Sequence, residues 1–279
     1  MDSSGRCRNR TGVIKDPDHG GHCMGFDEPE CPERLDALFS LLEEPGLSEC
    51  LIDITPRMVE TEDLERVHDR EYIERLAATA GKSLTFLDPD TRASHRSHEV
   101  ALLAAGGLCK AIEQVHNGEV DNAFALIRPP GHHAERASSG GFCLYNNIAI
   151  GARYAQNTLG LQRILIVDWD LHHGNGTQHC FEEDPSVLFF STHRAFTYPH
   201  TGHLKETGKG SGRGYTVNIP LPTGIGDGEY LALYDKALKP IALSFKPDII
   251  LVSAGFDIHF DDPLGDMRVT PKGFAAMTR

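Results

Sequence analysis

No stretch of this 279-residue chain approaches eighteen consecutive apolar residues, which excludes a membrane-spanning helix. Positive charge is in deficit: 27 Lys and Arg stand against 40 Asp and Glu, for a net charge of −13. That balance argues against non-specific binding to nucleic acid or anionic membranes and weakly favours cationic ligands. No CxxC occurs, and the seven cysteines are odd in number and scattered. The pattern predicts reduced thiols and a cytoplasmic location rather than a disulfide framework. The opening residues MDSSGRCRNR have no apolar stretch behind them, which argues against a secretory signal. Repeats, low-complexity tracts and linkers are also lacking, so residues 1–279 are expected to form a single domain. Histidine, by contrast, is plentiful: 15 residues, several in pairs. Paired histidines are where chemistry at neutral pH is to be sought.

The chain to about Pro32 is rich in Gly, Pro, His and Asp and reads as loop. Helical spacing follows over Arg34–Glu44, then Arg70–Ala80 and about Ser94–His116, each closed by a Gly-containing stop. Beyond that, short apolar runs end in turn residues: Ala123–Ile127, Ile164–Val167, Val187–Phe190, Thr216–Ile219 and Ile249–Val252. They alternate with helical segments such as Asn146–Gln156 and Glu229–Leu243. Strands apolar on both faces, alternating with helices, indicate an α/β fold: three layers, α/β/α, around a mostly parallel sheet.

Sheets of this kind place their sites beyond the carboxyl ends of the strands. Three of the strands run into polar clusters: Arg128–His133, Asp168–Gly176 and Ser253–Asp257. If the strands are parallel, all three clusters fall at one edge of the sheet. Asp170 and His172 are two apart, so in an extended segment their side chains share a face. With Asp257 they make a three-ligand set suited to Zn²⁺, leaving a fourth position open as in catalytic sites. Taken alone, Asp-x-His also suits a solvated loop. A two-metal hydrolase is the nearest rival, but it would want more carboxylates around both clusters. His132 and His133 follow a rigid Pro129-Pro130-Gly131 entry and could be ligands, exposed side chains, or a base and acid beside a metal.

At these residues the chain closely resembles the zinc-dependent histone deacetylase family, in particular its class II and bacterial deacetylase-like branch. The matching stretches are PECPERL (29–35), RPPGHHA (128–134), GFCLYNN (141–147), DWDLHHGNGTQ (168–178) and SAGFDIHFDDPLG (253–265). The resemblance implies an arginase/deacetylase-like fold and hydrolysis of an acetylated amine, a metal-bound water attacking the acyl carbonyl. It implies Asp170, His172 and Asp257 as zinc ligands, and His132 and His133 as the tandem acid–base pair, supported by Asp168 and Asn175. Gly141, Phe142, Tyr198 and Leu264 are implied to border the substrate channel, and Arg34 to handle acetate. A structural K⁺ or Na⁺ is implied at Asp168, Asp170, His172, Ser191 and Thr192, and a second at Phe181, Asp184, Val187 and Tyr215.

The expected substrate is an acetylated lysine in a protein or peptide; small acetylated amines such as polyamines are the alternative. The polyamine-selective branch carries an acidic gate where this chain has Leu264, which favours acyl-lysine. The family's oxyanion tyrosine follows a glycine pair, and no Gly-Gly-Tyr occurs downstream of Asp257. Thr270-Pro271 starts a helix that has no stop signal, so the chain reads as cut short before that residue. Weak turnover, or an acyl-lysine or metal-binding module without catalysis, is the corresponding expectation. In place of the histidine common before the Pro-Glu of the N-terminal stretch stands Glu28.

Overall fold

The computed structural model describes residues 10–25 and 28–279, which fall into two compact units, residues up to Gly160 and from Leu161 onward. The stretch read as lacking a secretory signal lies, up to Asn9, outside the described residues.

In the first unit a parallel sheet runs in the order β2 (Leu51–Asp53), β1 (Thr11–Lys15), β5 (Asn122–Leu126). Alternation along β1 sets up three layers. Val13 packs with Leu35 and Phe39 of α1 (Glu33–Leu42), while the next residue, Ile14, packs on the opposite face with Ala111 and Val115 of α4 (Ser97–His116). The expectation of loop up to Pro32 is therefore corrected: residues 11–15 are the central strand. Only Val13 and Ile14 stand between Gly12 and Lys15, too short an apolar run to show a period. An antiparallel hairpin, β3 (Leu84–Asp88) and β4 (Thr91–Ser94), precedes α4 and takes up Ser94, so α4 starts three residues later than its spacing predicts. The short helices α2 (Thr61–Glu65) and α3 (Arg70–Ala77) precede the hairpin, and α5 (Asn147–Asn157) closes the unit.

In the second unit the parallel order is β8 (Thr216–Leu221), β7 (Val187–Arg194), β6 (Ile164–Asp168), β9 (Ile249–Ser253). All five residues of β6 are buried, as a strand covered on both faces requires. β9 departs from that expectation: Ile250 and Val252 are exposed, and β6 is its partner among the described strands. One face of the sheet (Leu165, Val167, Leu188, Phe190) packs against Tyr230 of α7 (Asp227–Leu233), Tyr234 and Ile241. The helix expected over Glu229–Leu243 is continuous but widens to a π turn over Tyr234–Leu238 before α8 (Lys239–Phe245). Pro240 has no N–H to offer the preceding turn, which accounts for the widening. The helix α6 (Asn175–Phe181) links β6 to β7, and α9 (Pro271–Met277) starts at Thr270, whose hydroxyl accepts from the Gly273 N–H.

The thiol expectation holds at Cys23, Cys31, Cys109, Cys143 and Cys180, which are outside any disulfide. It fails at Cys50, which is disulfide-bonded. Among the described residues no helix is long and apolar enough to cross a membrane.

Candidate metal centre and tandem histidines

Strands β6 and β9 run in register, Asp168 opposite Ser253, so their carboxyl ends lie side by side. Past β6 the extended alternation continues. Trp169 and Leu171 are buried in the core, which turns Asp170 and His172 to the other side. Past β9, Gly255 brings its backbone against the Asp170 carboxylate, where a Cβ would collide. Asp257 then joins the pair: its Oδ1 accepts from the Leu171 N–H at 2.9 Å, and its Oδ2 lies 3.0 Å from His172 Nδ1. Asp170 Oδ1 sits 3.1 Å from the same nitrogen. Among the described residues these three are the group of potential ligands that converges, with one donor atom from each within 4.8 Å of the others.

Two carboxylates on one imidazole create a demand for positive charge. Burial alone would depress His172, yet hydrogen bonds to Asp170 and Asp257, and their charges, drive it up to about 10. Burial, then the charge of Asp170, pushes Asp257 up to about 7. The donor set, two oxygens and one nitrogen, is that of a site for a borderline divalent cation. Asp168 lies just behind it, fully buried, in register with Ser191 of β7, and accepts the Asp170 N–H at 3.1 Å. Thr192 follows Ser191 and is also buried. Phe181, Asp184 and Val187 lie along the connection from α6 to β7, and the Tyr215 carbonyl accepts from Phe189 of β7.

The histidine pair belongs to the first unit. His132 and His133 are buried with ring centroids 3.9 Å apart, after a cis Arg128–Pro129 peptide. Their turn is pinned from both sides. Asn147 Nδ2 donates to the Pro129 carbonyl at 3.0 Å, and Asn146 Nδ2 to the Ala134 carbonyl at 3.3 Å. Gly131 must be glycine, since a Cβ would stand 2.6 Å from the Asn147 nitrogen. Asn146 also caps α5 through its side chain, which accepts from the Ala149 N–H. Its own N–H donates to His68 Nε2 at 2.9 Å, while His68 Nδ1 donates to the Glu135 carbonyl at 2.9 Å. That geometry fixes a neutral ring with its proton on Nδ1, and burial accordingly lowers His68 to about 4.

Gly141 and Phe142 are the central residues of a tight turn closed between Gly140 and Cys143, both at positive φ (54° and 67°). For phenylalanine that backbone costs on the order of 1 kcal/mol or more. Tyr198 lies on the loop after β7, its ring 6.3 Å from that of His172. Glu206 gathers this loop: its carboxylate accepts from Gly202 N, His203 N and Gln178 Nε2. Leu264 is exposed, its N–H held by Asp262 at 2.9 Å. Arg34, in the first turn of α1, is half exposed and 3.9 Å from Glu30. Glu30 is held chiefly by a two-pronged pairing with buried Arg128. Asn175 opens α6, its N–H donating to the His173 carbonyl.

A family model of the histone deacetylase domain matches residues 28–279. The chain belongs to the histone deacetylase family. A probable deacetylase of Archaeoglobus fulgidus is 43% identical over 96% of this chain and 75% of its own length. The polyamine deacetylase HDAC10 of Rattus norvegicus is 43% identical over 91% of this chain but 46% of its own. This histone deacetylase family chain thus spans less than half the length of that relative. Among solved structures, the crystal structure of the HDA15 HD domain superposes with a TM-score of 0.92 at 39% identity, covering 96% of this chain and 80% of that one. The fold is accordingly the arginase/deacetylase-like α/β fold of the histone deacetylase family.

Several residues around the family's motifs were not singled out in the sequence. His68, Asp90 and Thr91 sit at element ends with no spacing to mark them; only the structure shows what they hold. Asn146 and Asn147 were visible as a polar pair ahead of an apolar helix, the usual sign of an N-cap.

Proposed function

We propose that the chain is a metal-dependent deacetylase that hydrolyses the amide of acetyl-lysine in a protein or peptide. The observation that carries this reading is the convergence of Asp170, His172 and Asp257 at the paired ends of β6 and β9 in a chain of this family. Those three residues would hold Zn²⁺, which when bound supplies Lewis-acid polarisation of the acyl carbonyl. His133 takes a proton from the attacking water and passes it to the departing amine, with His132 as its partner in the pair. By the family resemblance, Asp168 and Asn175 would support His132 and His133 respectively. Phe142, Gly141 and Tyr198 border the methylenes of the acyl-lysine, Leu264 lies at the rim, and Arg34 handles the released acetate. Asp168, Ser191 and Thr192, with the backbones of Asp170 and His172, are the proposed K⁺ or Na⁺ site, with the second at Phe181, Asp184, Val187 and Tyr215.

A second reading, deacetylation of small acetylated amines, draws on the polyamine deacetylases among the relatives and on the acidic net charge. The apolar Leu264 favours the first. Comparing turnover of an acetyl-lysine peptide with that of N-acetylputrescine, before and after chelation, separates them. Chelator-sensitive peptide turnover is expected. Dominant polyamine turnover would overturn the substrate assignment. Metal and peptide binding without hydrolysis would identify a binding module instead.

A further inference from the structure

We propose that the Asp90–Thr91 turn of the β3–β4 hairpin is a positioning element for substrate binding, holding Gly141 and Phe142 in the backbone that sets the channel wall. The inference rests on the reading of Phe142 as that wall. A turn with both central residues at positive φ closes through its outer residues, here Gly140 and Cys143, and leaves the two central N–H groups without a partner inside the turn. Both are taken up by the hairpin. Gly141 N–H donates to Asp90 Oδ1 at 3.0 Å, and Phe142 N–H donates to Thr91 Oγ1 at 3.0 Å. The Thr91 hydroxyl in turn donates to Asp90 Oδ1 at 2.7 Å. With its proton committed to Asp90, the hydroxyl can only present a lone pair to Phe142. Thr91 is fully buried, so water does not substitute for it. The arrangement fits a bulky side chain held in a conformation it would otherwise leave. Neither residue touches the reacting atoms in this scheme; they act through Phe142.

Thr91→Val keeps the shape and removes the acceptor, Thr91→Ser restores it, and all variants are made in the full chain. Three quantities are read: hydrogen exchange at the Gly141 and Phe142 amides, the Kd for an acetyl-lysine peptide, and the Kd for Co²⁺. In Thr91→Val the Phe142 amide is expected to exchange at least tenfold faster and the peptide to bind about tenfold more weakly. Co²⁺ affinity is expected to stay unchanged, and Thr91→Ser to recover both losses. A merely structural defect would weaken Co²⁺ binding as well, and that result overturns the proposal. Unchanged exchange, or faster exchange with unaltered peptide affinity, also overturns it. If Thr91→Val does not fold, Asp90→Ala, which frees the Gly141 N–H and the hydroxyl together, is judged by the same criteria. Failure of the wild-type chain to bind the peptide, with the amides still responding, instead defeats the reading of Phe142 as a channel wall.

Discussion

The backbone of Gly255 lies against the carboxylate of Asp170, with no room for a Cβ between them. This contact lets a residue beyond β9 and a residue beyond β6 approach closely enough for Asp257 to reach His172. Gly255→Ala must push Asp170 aside. Groups that orient metal ligands typically change affinity 10- to 100-fold when altered, about 1.4–2.8 kcal/mol. Zn²⁺ titration against a competing chelator is expected to show a loss in that range, and wild-type affinity in Gly255→Ala would refute the packing argument.

The ligand assignment makes a stability prediction that needs no substrate. An ion that binds the folded chain alone stabilises it by about 2.7 kcal/mol at a hundred times its Kd. Wild-type protein should therefore melt at a higher temperature in excess Zn²⁺. His172→Ala and Asp257→Asn should each abolish the increment, because each removes a donor of the converging set. A full increment in both variants would place the ion elsewhere.

Where the sequence was legible, the reason was period and spacing. β6 and β9 showed as apolar runs, and Asp170, His172 and Asp257 fell just past their ends, so register alone brought the three together. β1 is not legible in the sequence because two apolar residues cannot define a period, though they are the pivot of the first unit's layers. The π turn at Tyr234–Leu238 was masked by an uninterrupted helical pattern. The supports of the site were invisible for another reason. Asp90–Thr91 lie some fifty positions from the turn they hold, and His68 lies 78 from Asn146, and no local pattern reports such pairings.

Asn146 joins two tasks: it caps α5 and holds the Ala134 carbonyl beside the histidine pair. Asn146→Ala loses the cap, typically about 1 kcal/mol, and leaves that carbonyl short of a donor. The urea midpoint is expected to fall by the equivalent of about 1–3 kcal/mol. Asn146→Asp retains the capping oxygen but cannot donate to Ala134, so it should recover only part of the loss. Wild-type stability in Asn146→Asp would show that the Ala134 contact contributes nothing, and equal stability of the two variants that the cap contributes nothing.

The neutral ring of His68 gives the fold a signed dependence on pH. Its folded value is near 4 through burial, against 6.5 for an unhindered histidine, and His22 and His193 are lowered to about 4 for the same reason. Between those two values the unfolded chain takes up protons that the folded chain refuses, so stability falls as pH drops from about 6.5 to about 4. Above 6.5 neither state is protonated and the contribution is flat. Each such histidine accounts for roughly 3 kcal/mol across the window. At His68 the cost has a visible origin, because a proton on Nε2 would displace the Asn146 N–H that now donates there. Glutamine can donate to the Glu135 carbonyl and accept from Asn146 without titrating. His68→Gln is therefore expected to lose less stability than wild type between pH 7 and 4.5 in urea unfolding. Parallel losses in the two proteins would show that His68 protonates freely in the fold, contrary to the two hydrogen bonds that hold it.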